Sequence, residues 1–495
     1  MRNLLYILCF LFLTSCERNK TVRVIDRTSD KPVKVGTMTP DMLHLTEQER
    51  IMGLVVVYQA ALQHFAWFER VPDLDWSQAF MEYLPAVQKE QALLSYYRTL
   101  QRFAALLQDG HTRVLLPEEL SHHQDNLPFL MDYVANQYVV IERLPSQEIL
   151  DEDIPLGSII LSINDQVPDD WLEAHVFPFV SNPTPHAKQL AFNFMRCFSK
   201  GEQVKVKLRY PNGSIHSRII SATRDNVQLN DCLYNRFSRP WNRKPIFRTE
   251  PMGKHIIYIR YGSCTPEVEN EFVKCLRNMN KSEIKTIILD LRSNPGGDTP
   301  EESIQQLITQ PLVNPVIMRT RCSISSLDAS FALLRRRGSD QQKIDEIVKD
   351  TVKKGELPQG FSPGWYKFET HIEPAENGFG GTLILLINGE TGSATEEFVA
   401  ILKARERTIV IGERSNGSTG TPLYFGLPGG GKVGICTLRV CYPNGKTYIG
   451  QGIIPDIFVE RSIEGIVQGK DELLQKALYV AEQQNDKKLL HLRPQ

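Results

Sequence analysis

Thr286-Ile287-Ile288-Leu289-Asp290-Leu291-Arg292-Ser293-Asn294-Pro295-Gly296-Gly297 is the stretch from which the fold is read. Apolar and β-branched residues in succession predict a buried strand, and Pro-Gly-Gly stops it in a tight turn. The same pairing of strand and helix repeats on both sides. Ile256–Ile259 precedes a predicted helix at 266–278, and 286–290 precedes one near 300–309. Leu383–Ile387 precedes a helix at 393–404, and Thr408–Ile411 follows it. Alternation of this kind across 250–460 predicts an α/β layered fold. Residues 328–356 read as a charged helical insertion, with Arg335-Arg336-Arg337 on a solvated face, and a last helix is predicted at 470–484.

Upstream the pattern changes. Ile51, Leu54, Val55, Tyr58, Ala61 and Leu62 recur at helical spacing, as do Leu93, Leu94, Tyr97, Leu100, Phe103 and Leu106. They predict a small helical domain that ends where Asp109-Gly110-His111-Thr112 breaks the period. Residues 127–222 read as short strands with turns, interrupted by one helix at 184–197. At the N-terminus Arg2 precedes the apolar run Leu4–Leu13, which is shorter than the roughly 20 residues a bilayer span needs. It reads as a signal peptide. The run ends in Leu13-Thr14-Ser15-Cys16, which resembles a bacterial lipoprotein box with Cys16 as the lipidated residue. The alternative is a plain secretory signal with an incidental cysteine. Residues 17–40 read as a polar tether.

Composition narrows the classes. The chain has 495 residues, 41% hydrophobic and 23% charged, which excludes collagen-like, coiled-coil and disordered chains. Lys plus Arg number 57 against 58 Asp plus Glu, so the basic excess of a nucleic-acid binder is missing. Beyond Cys9 and Cys16, seven cysteines remain, with no CxxC pair and no His/Cys metal spacing. No metal site is expected, and His122-His123 reads as an exposed loop pair.

Chemistry is expected at strand ends. Gly296 and Gly297 let backbone N–H groups approach an anion closely. The second end, Asn388-Gly389-Glu390-Thr391-Gly392-Ser393-Ala394, places Ser393 at a helix start, where the positive helix end favours an alkoxide. The N–H of Ala394 is a second oxyanion donor. Read alone, each has a plain alternative: an ordinary tight turn and a helix N-cap.

Their order in the chain is more specific. Gly110-His111-Thr112, the 127–222 segment, Asp290-x-Arg292-x-Asn294-Pro295-Gly296-Gly297, Ser393-Ala394-x-Glu396, Gly412-Glu413-Arg414-x-x-Gly417 and Gly452-Ile453-x-Pro455-Asp456 follow one another. Over about residues 90–460 the chain resembles the C-terminal processing (tail-specific) serine peptidases, on the branch similar to the tricorn protease core.

The resemblance implies a multidomain α/β protein: signal peptide 1–15, tether 16–40, helical domain 41–126, PDZ-like module 127–222 and a ClpP/crotonase-like peptidase core 223–495. It implies a serine endopeptidase acting on unstructured or C-terminal segments, with no cofactor and no nucleic-acid partner. Ser393 is similar in position to the nucleophile, His111 to the base, and Gly296 or Gly297 with Ala394 to the oxyanion hole. In the tail-specific branch the base is a Lys whose position here is Ser418, so that dyad is absent, and Lys403 and Lys432 lie outside the motif. In the His branch an acid orients the ring. Here that stretch has no carboxylate, and Gln451 is the nearest candidate, with Glu396 and Glu413 as alternatives. Leu127-Pro128-Phe129-Leu130 would begin the strand that receives a peptide. A peptidase-like lipoprotein that binds peptides without turnover is the alternative. The implied location is the cell envelope, on a lipid anchor.

Overall fold

The computed structural model describes residues 44–144, 154–223, 246–321, 365–368 and 371–485. The signal and lipid-box residues, the tether, Cys232, Cys322 and the 328–356 insertion with its arginines lie outside them.

Thr286–Asp290 lies inside a six-stranded sheet, in the order 457–458, 408–412, 382–387, 286–290, 256–261, 247–251. All pairings are parallel except that of the edge strand Phe247–Pro251. All five residues of 286–290 are buried, as expected where helices cover both faces of a sheet. The period of two sorts the side chains. Ile287, Leu289, Leu383 and Leu385 face one apolar cluster. Ile288, Ile384, Leu386 and Ile411 face the helix Glu472–Asn485 through Ala477, Val480 and Ala481. The helices Pro266–Asn278, Glu301–Leu307 and Ala394–Lys403 fall within a few residues of their expected positions.

The upstream helices are Glu47–His64, Trp76–Gln88 and Leu93–Ala105. The first opens with a capping box between Thr46 and Glu49. They do not build a core of their own. Leu54, Tyr96, Tyr97 and Phe103 share one continuous cluster with Ile287, Phe398 and Val433. The link is a sheet the periodicity did not reveal: Arg113–Leu115 pairs with Lys432–Cys436, which pairs with Pro422–Gly426.

Residues 127–222 carry a five-stranded antiparallel sheet, ordered 129–134, 137–143, 159–163, 203–209, 215–221. It has a separate core around Trp171, Phe192 and Phe198. Val204, Val206 and Leu208 are buried while Lys205 and Lys207 face solvent, as the alternation predicts. Thr184 caps the helix Pro185–Phe194.

Candidate active site

Ser393 ends the turn after Thr382–Ile387 and precedes the helix Ala394–Lys403. Its backbone sits at φ 55°, ψ −131°, outside the regions a serine ordinarily occupies. Its side chain makes no cap hydrogen bond and keeps partial solvent access. The plain N-cap reading is therefore not what the hydroxyl does. The strained turn is held from outside: Ser393 N–H donates to Ser418 O at 2.8 Å, and Gly392 N–H to Asn294 O at 3.0 Å.

The glycine turn presses against this serine. A β-carbon on Gly296 would lie 2.5 Å from Ser393 Cβ, so no larger residue fits. Asn294 shapes the turn, accepting Gly296 N–H at 3.0 Å and donating to Tyr261 O at 2.9 Å. This corrects one expectation: the Gly296 N–H is already engaged by Asn294 and cannot serve an oxyanion. The Gly297 and Ala394 N–H groups carry no hydrogen bond among the described residues. Asp290 and Arg292 are structural. Asp290 accepts Tyr258 Oη at 2.7 Å and Arg292 Nη2 at 2.7 Å, and Arg292 reaches Asp471 at 2.6 Å. Burial works against the Asp290 charge, but Arg292 and Arg260 overcome it and hold the carboxyl well below its usual range.

His111 reaches the site from the other end of the chain. Asp109 Oδ1 accepts its backbone N–H at 2.9 Å, and Thr112 N–H donates to Asp109 O at 3.0 Å. Thr112 Oγ1 accepts Cys436 N–H at 3.0 Å, which anchors the turn to the core. His111 Nε2 lies 3.2 Å from Ser393 Oγ, across 282 residues of sequence. Its Nδ1 lies 2.7 Å from Ser418 Oγ. Burial, with the Arg113 charge, pushes the imidazole down to about 3, so the ring is neutral near pH 7. The ring keeps some solvent contact.

The ring's second partner is Ser418 and not Gln451. Gln451 is exposed, and its backbone bonds Tyr448 O at 3.0 Å and Arg414 Nη1 at 3.2 Å. Its turn acts from below: Gly450 N–H donates to Gly417 O at 2.7 Å and supports the loop bearing Ser418. That loop hangs on the buried Glu396. Oε1 accepts Gly417 N–H at 2.7 Å and the Ser415 hydroxyl, while Oε2 accepts Ser418 N–H at 2.9 Å and Thr419 Oγ1 at 3.3 Å. Burial still pushes the Glu396 carboxyl up to about 7. Of the other candidates, Lys403 binds Ile454 O and Asp456, and Lys432 is exposed. Glu413 pairs with Arg461, which also binds Asp132. Ser418 entered the sequence reading only as a missing lysine, and its position in that motif was the signal available.

Leu127, Pro128, Phe129 and Leu130 are all buried. Phe129–Val134 is an edge strand, as expected, but its outer side is occupied at Met131. Asn193, on the helix Pro185–Phe194, donates to Met131 O at 2.7 Å and accepts Met131 N–H at 3.0 Å. Asn193 thus occupies this edge at Met131, one residue beyond Leu127–Leu130. Among the described residues no group of acidic, His and Cys side chains could hold a metal. His122 lies near Glu118 in the open. No helix among them is long and apolar enough to cross a membrane.

A hydroxyl free of its cap, against a neutral imidazole and two unspent amides, is the apparatus of a serine-type hydrolase. Residues 255–459 match the model described as Peptidase family S41. The chain is 23% identical over 352 residues to a carboxyl-terminal-processing protease of Picosynechococcus sp., covering 71% of this chain and 70% of that protein. It is 26% identical over 191 residues to a carboxy-terminal-processing protease of Bartonella bacilliformis, covering 39% and 35%. The crystal structure of mature CPAF has the same fold, with a TM-score of 0.69 at 16% identity, covering 90% of this chain and 99% of that one. Residues 255–459 are thus similar to peptidase family S41, and the chain is a serine-type peptidase.

Proposed function

We propose that Ser393 is the nucleophile of an endopeptidase, with His111 as general base and Ser418 as the group that orients it. The observation that carries this is the 3.2 Å contact between His111 Nε2 and Ser393 Oγ. In this reading Nδ1 carries the ring proton and donates it to Ser418 Oγ, which leaves the Nε2 lone pair for Ser393. His111 takes the hydroxyl proton as Oγ attacks a peptide carbonyl. The oxyanion rests on the Gly297 and Ala394 N–H groups, and donors of this kind are commonly worth about 10²–10³ in rate. The imidazolium then protonates the leaving amine, and water, activated by the same ring, hydrolyses the acyl-enzyme. Ser418 fixes the ring without a charge, so the imidazolium is stabilised less than by a carboxylate. A modest turnover follows. The alternative of binding without turnover drew on the missing Lys and acid, and the Ser418 contact supplies an orienter that it lacked.

A fluorophosphonate probe tests the nucleophile. One equivalent of label is expected on the wild type and none on Ser393→Ala, and labelling that persists in the variant would overturn the assignment.

The helical segment 41–126, the module 127–222 and the core 223–495 are proposed as the working units, behind the signal peptide 1–15 and tether 16–40. Its own five-stranded sheet and separate core support the reading of the middle one as a PDZ-like module that would hold a substrate's tail. Its Leu127–Leu130 edge would receive that tail once Asn193 lets go of Met131. Cys16 is proposed to carry a lipid that tethers the enzyme in the cell envelope. Fractionation checks this: Cys16→Ser is expected in the soluble fraction, and membrane retention of the variant would remove the anchor.

A further inference from the structure

A second set of charges accompanies the His111 turn. Asp109 is 1% exposed. One of its oxygens holds His111 N–H, while the other, Oδ2, is buried with no hydrogen-bond partner. Arg70, at the end of the short helical turn Phe68–Arg70, has a buried Nη1 in the same condition. Burial, the larger effect, pushes the Asp109 carboxyl up and Arg70 pulls it the other way without an ion pair between them among the described residues, and the Cys436 thiol stands beside them. The other cation nearby, Arg439, is committed to Glu69 and to Ala66 O. Arg70 is therefore the cation that acts on Asp109. It also touches the second half of the site. A β-carbon on Gly450 would lie 1.6 Å from Arg70 Nη2, so the guanidinium lies on the Gly450 backbone. Gly450 N–H in turn holds Gly417 O, next to Ser418.

We propose that Arg70 is a positioning residue for the hydrolysis assigned above: its guanidinium balances the buried Asp109 carboxylate, and Asp109 so balanced holds the turn that aims His111 at Ser393. This rests on the His111–Ser393 reading. The physical ground is the cost of a buried charge left without a partner, which exceeds the cost of removing both charges together. The inference places a working part of the active site in the upstream helical segment, outside the residues 255–459 that match the family.

The test is a rescue, made in the full-length enzyme with an unstructured peptide substrate. Arg70→Met is expected to lower kcat about 30-fold with KM changed less than about twofold, since the ring is misaimed and the substrate's contacts are not. Arg70→Lys, which keeps the charge, stays within about fivefold of wild type. Asp109→Asn keeps an oxygen for His111 N–H and removes the charge. Added to Arg70→Met, it is expected to restore kcat to within about fivefold of wild type. Fluorophosphonate labelling of Arg70→Met should be slower by a similar factor yet reach the same extent. A double variant no better than Arg70→Met, or a wild-type rate in Arg70→Met, overturns the proposal. If Arg70→Met does not fold, the double variant carries the test alone, and it must be folded and active. Loss of this proposal leaves Ser393 labelling intact, whereas failure of the underlying reading appears as turnover that survives Ser393→Ala.

Discussion

Replacing His111 by alanine is expected to lower kcat by about 10⁴-fold with little change in KM, measured on an unstructured peptide. In the proposed mechanism the imidazole is the base for Ser393: Lys403 is tied to Asp456 and the lysine of the related dyad is Ser418 here. The ring touches the hydroxyl through Nε2, so the loss is expected to fall on the chemical step. Ser418→Ala leaves the base in place and removes only its 2.7 Å partner, so a smaller loss, of about 10–100-fold, is expected. The pH profile of kcat/KM carries the same signature. A histidine base of ordinary pKa loses its free form below about pH 6.5. With burial and then Arg113 pushing His111 down to about 3, the acid limb is expected well below pH 6. The sign for stability follows. The unfolded chain binds this proton near pH 6.5 and the folded chain near 3, so His111 favours folding above that window and less as pH falls through it. An acid limb in the wild type at 6.5 or above would contradict the buried ring.

Glu396→Leu is expected to destabilise the protein by about 4 kcal/mol or more and to abolish turnover. The carboxylate receives the Gly417 and Ser418 N–H groups and the Ser415 and Thr419 hydroxyls, and each buried donor left unsatisfied costs about 1–3 kcal/mol. With them goes the loop that offers Ser418 to the ring. Glu396→Gln separates charge from shape. Its oxygen still accepts on one side, while its amino group faces the Ser418 N–H on the other, so an intermediate loss of stability is expected. Burial raises the Glu396 pKa from 4.5 to about 7, so the folded state binds the extra proton and this residue's contribution to stability falls as pH rises through that window. That dependence should be absent in Glu396→Gln. Urea midpoints across pH 5–8 read both effects, and an unchanged midpoint in Glu396→Leu would show that the loop does not hang on this residue.

The layered core was legible in the sequence because its signals are local. Thr286–Asp290 is a buried run, Val204-x-Val206-x-Leu208 alternates, and Pro185 and Pro266 mark helix starts. Ser393 and the glycine turn could be read for the same reason, since a strand end, a glycine and a helix start are neighbours in the chain. What could not be read depends on contacts between distant residues. The pairing of Arg113–Leu115 with Lys432–Cys436 joins segments whose own patterns do not mention each other. Gln451 stands near the right motif in the sequence, yet its side of that turn faces solvent. Gly296 carries a free-looking N–H in sequence, and only the fold brings Asn294 Oδ1 onto it. The upstream helices read as a separate domain because periodicity reports an apolar face and not what covers it.

The imidazole is seated by Lys432–Cys436, a strand made long after it and after the serine. A growing chain on the ribosome therefore carries both reactive side chains for some time without a working enzyme. Ripening waits until residues 432–436 have been made and have folded back onto 113–115. In that sense the far-flung strand is a latch that closes only after the serine has been made.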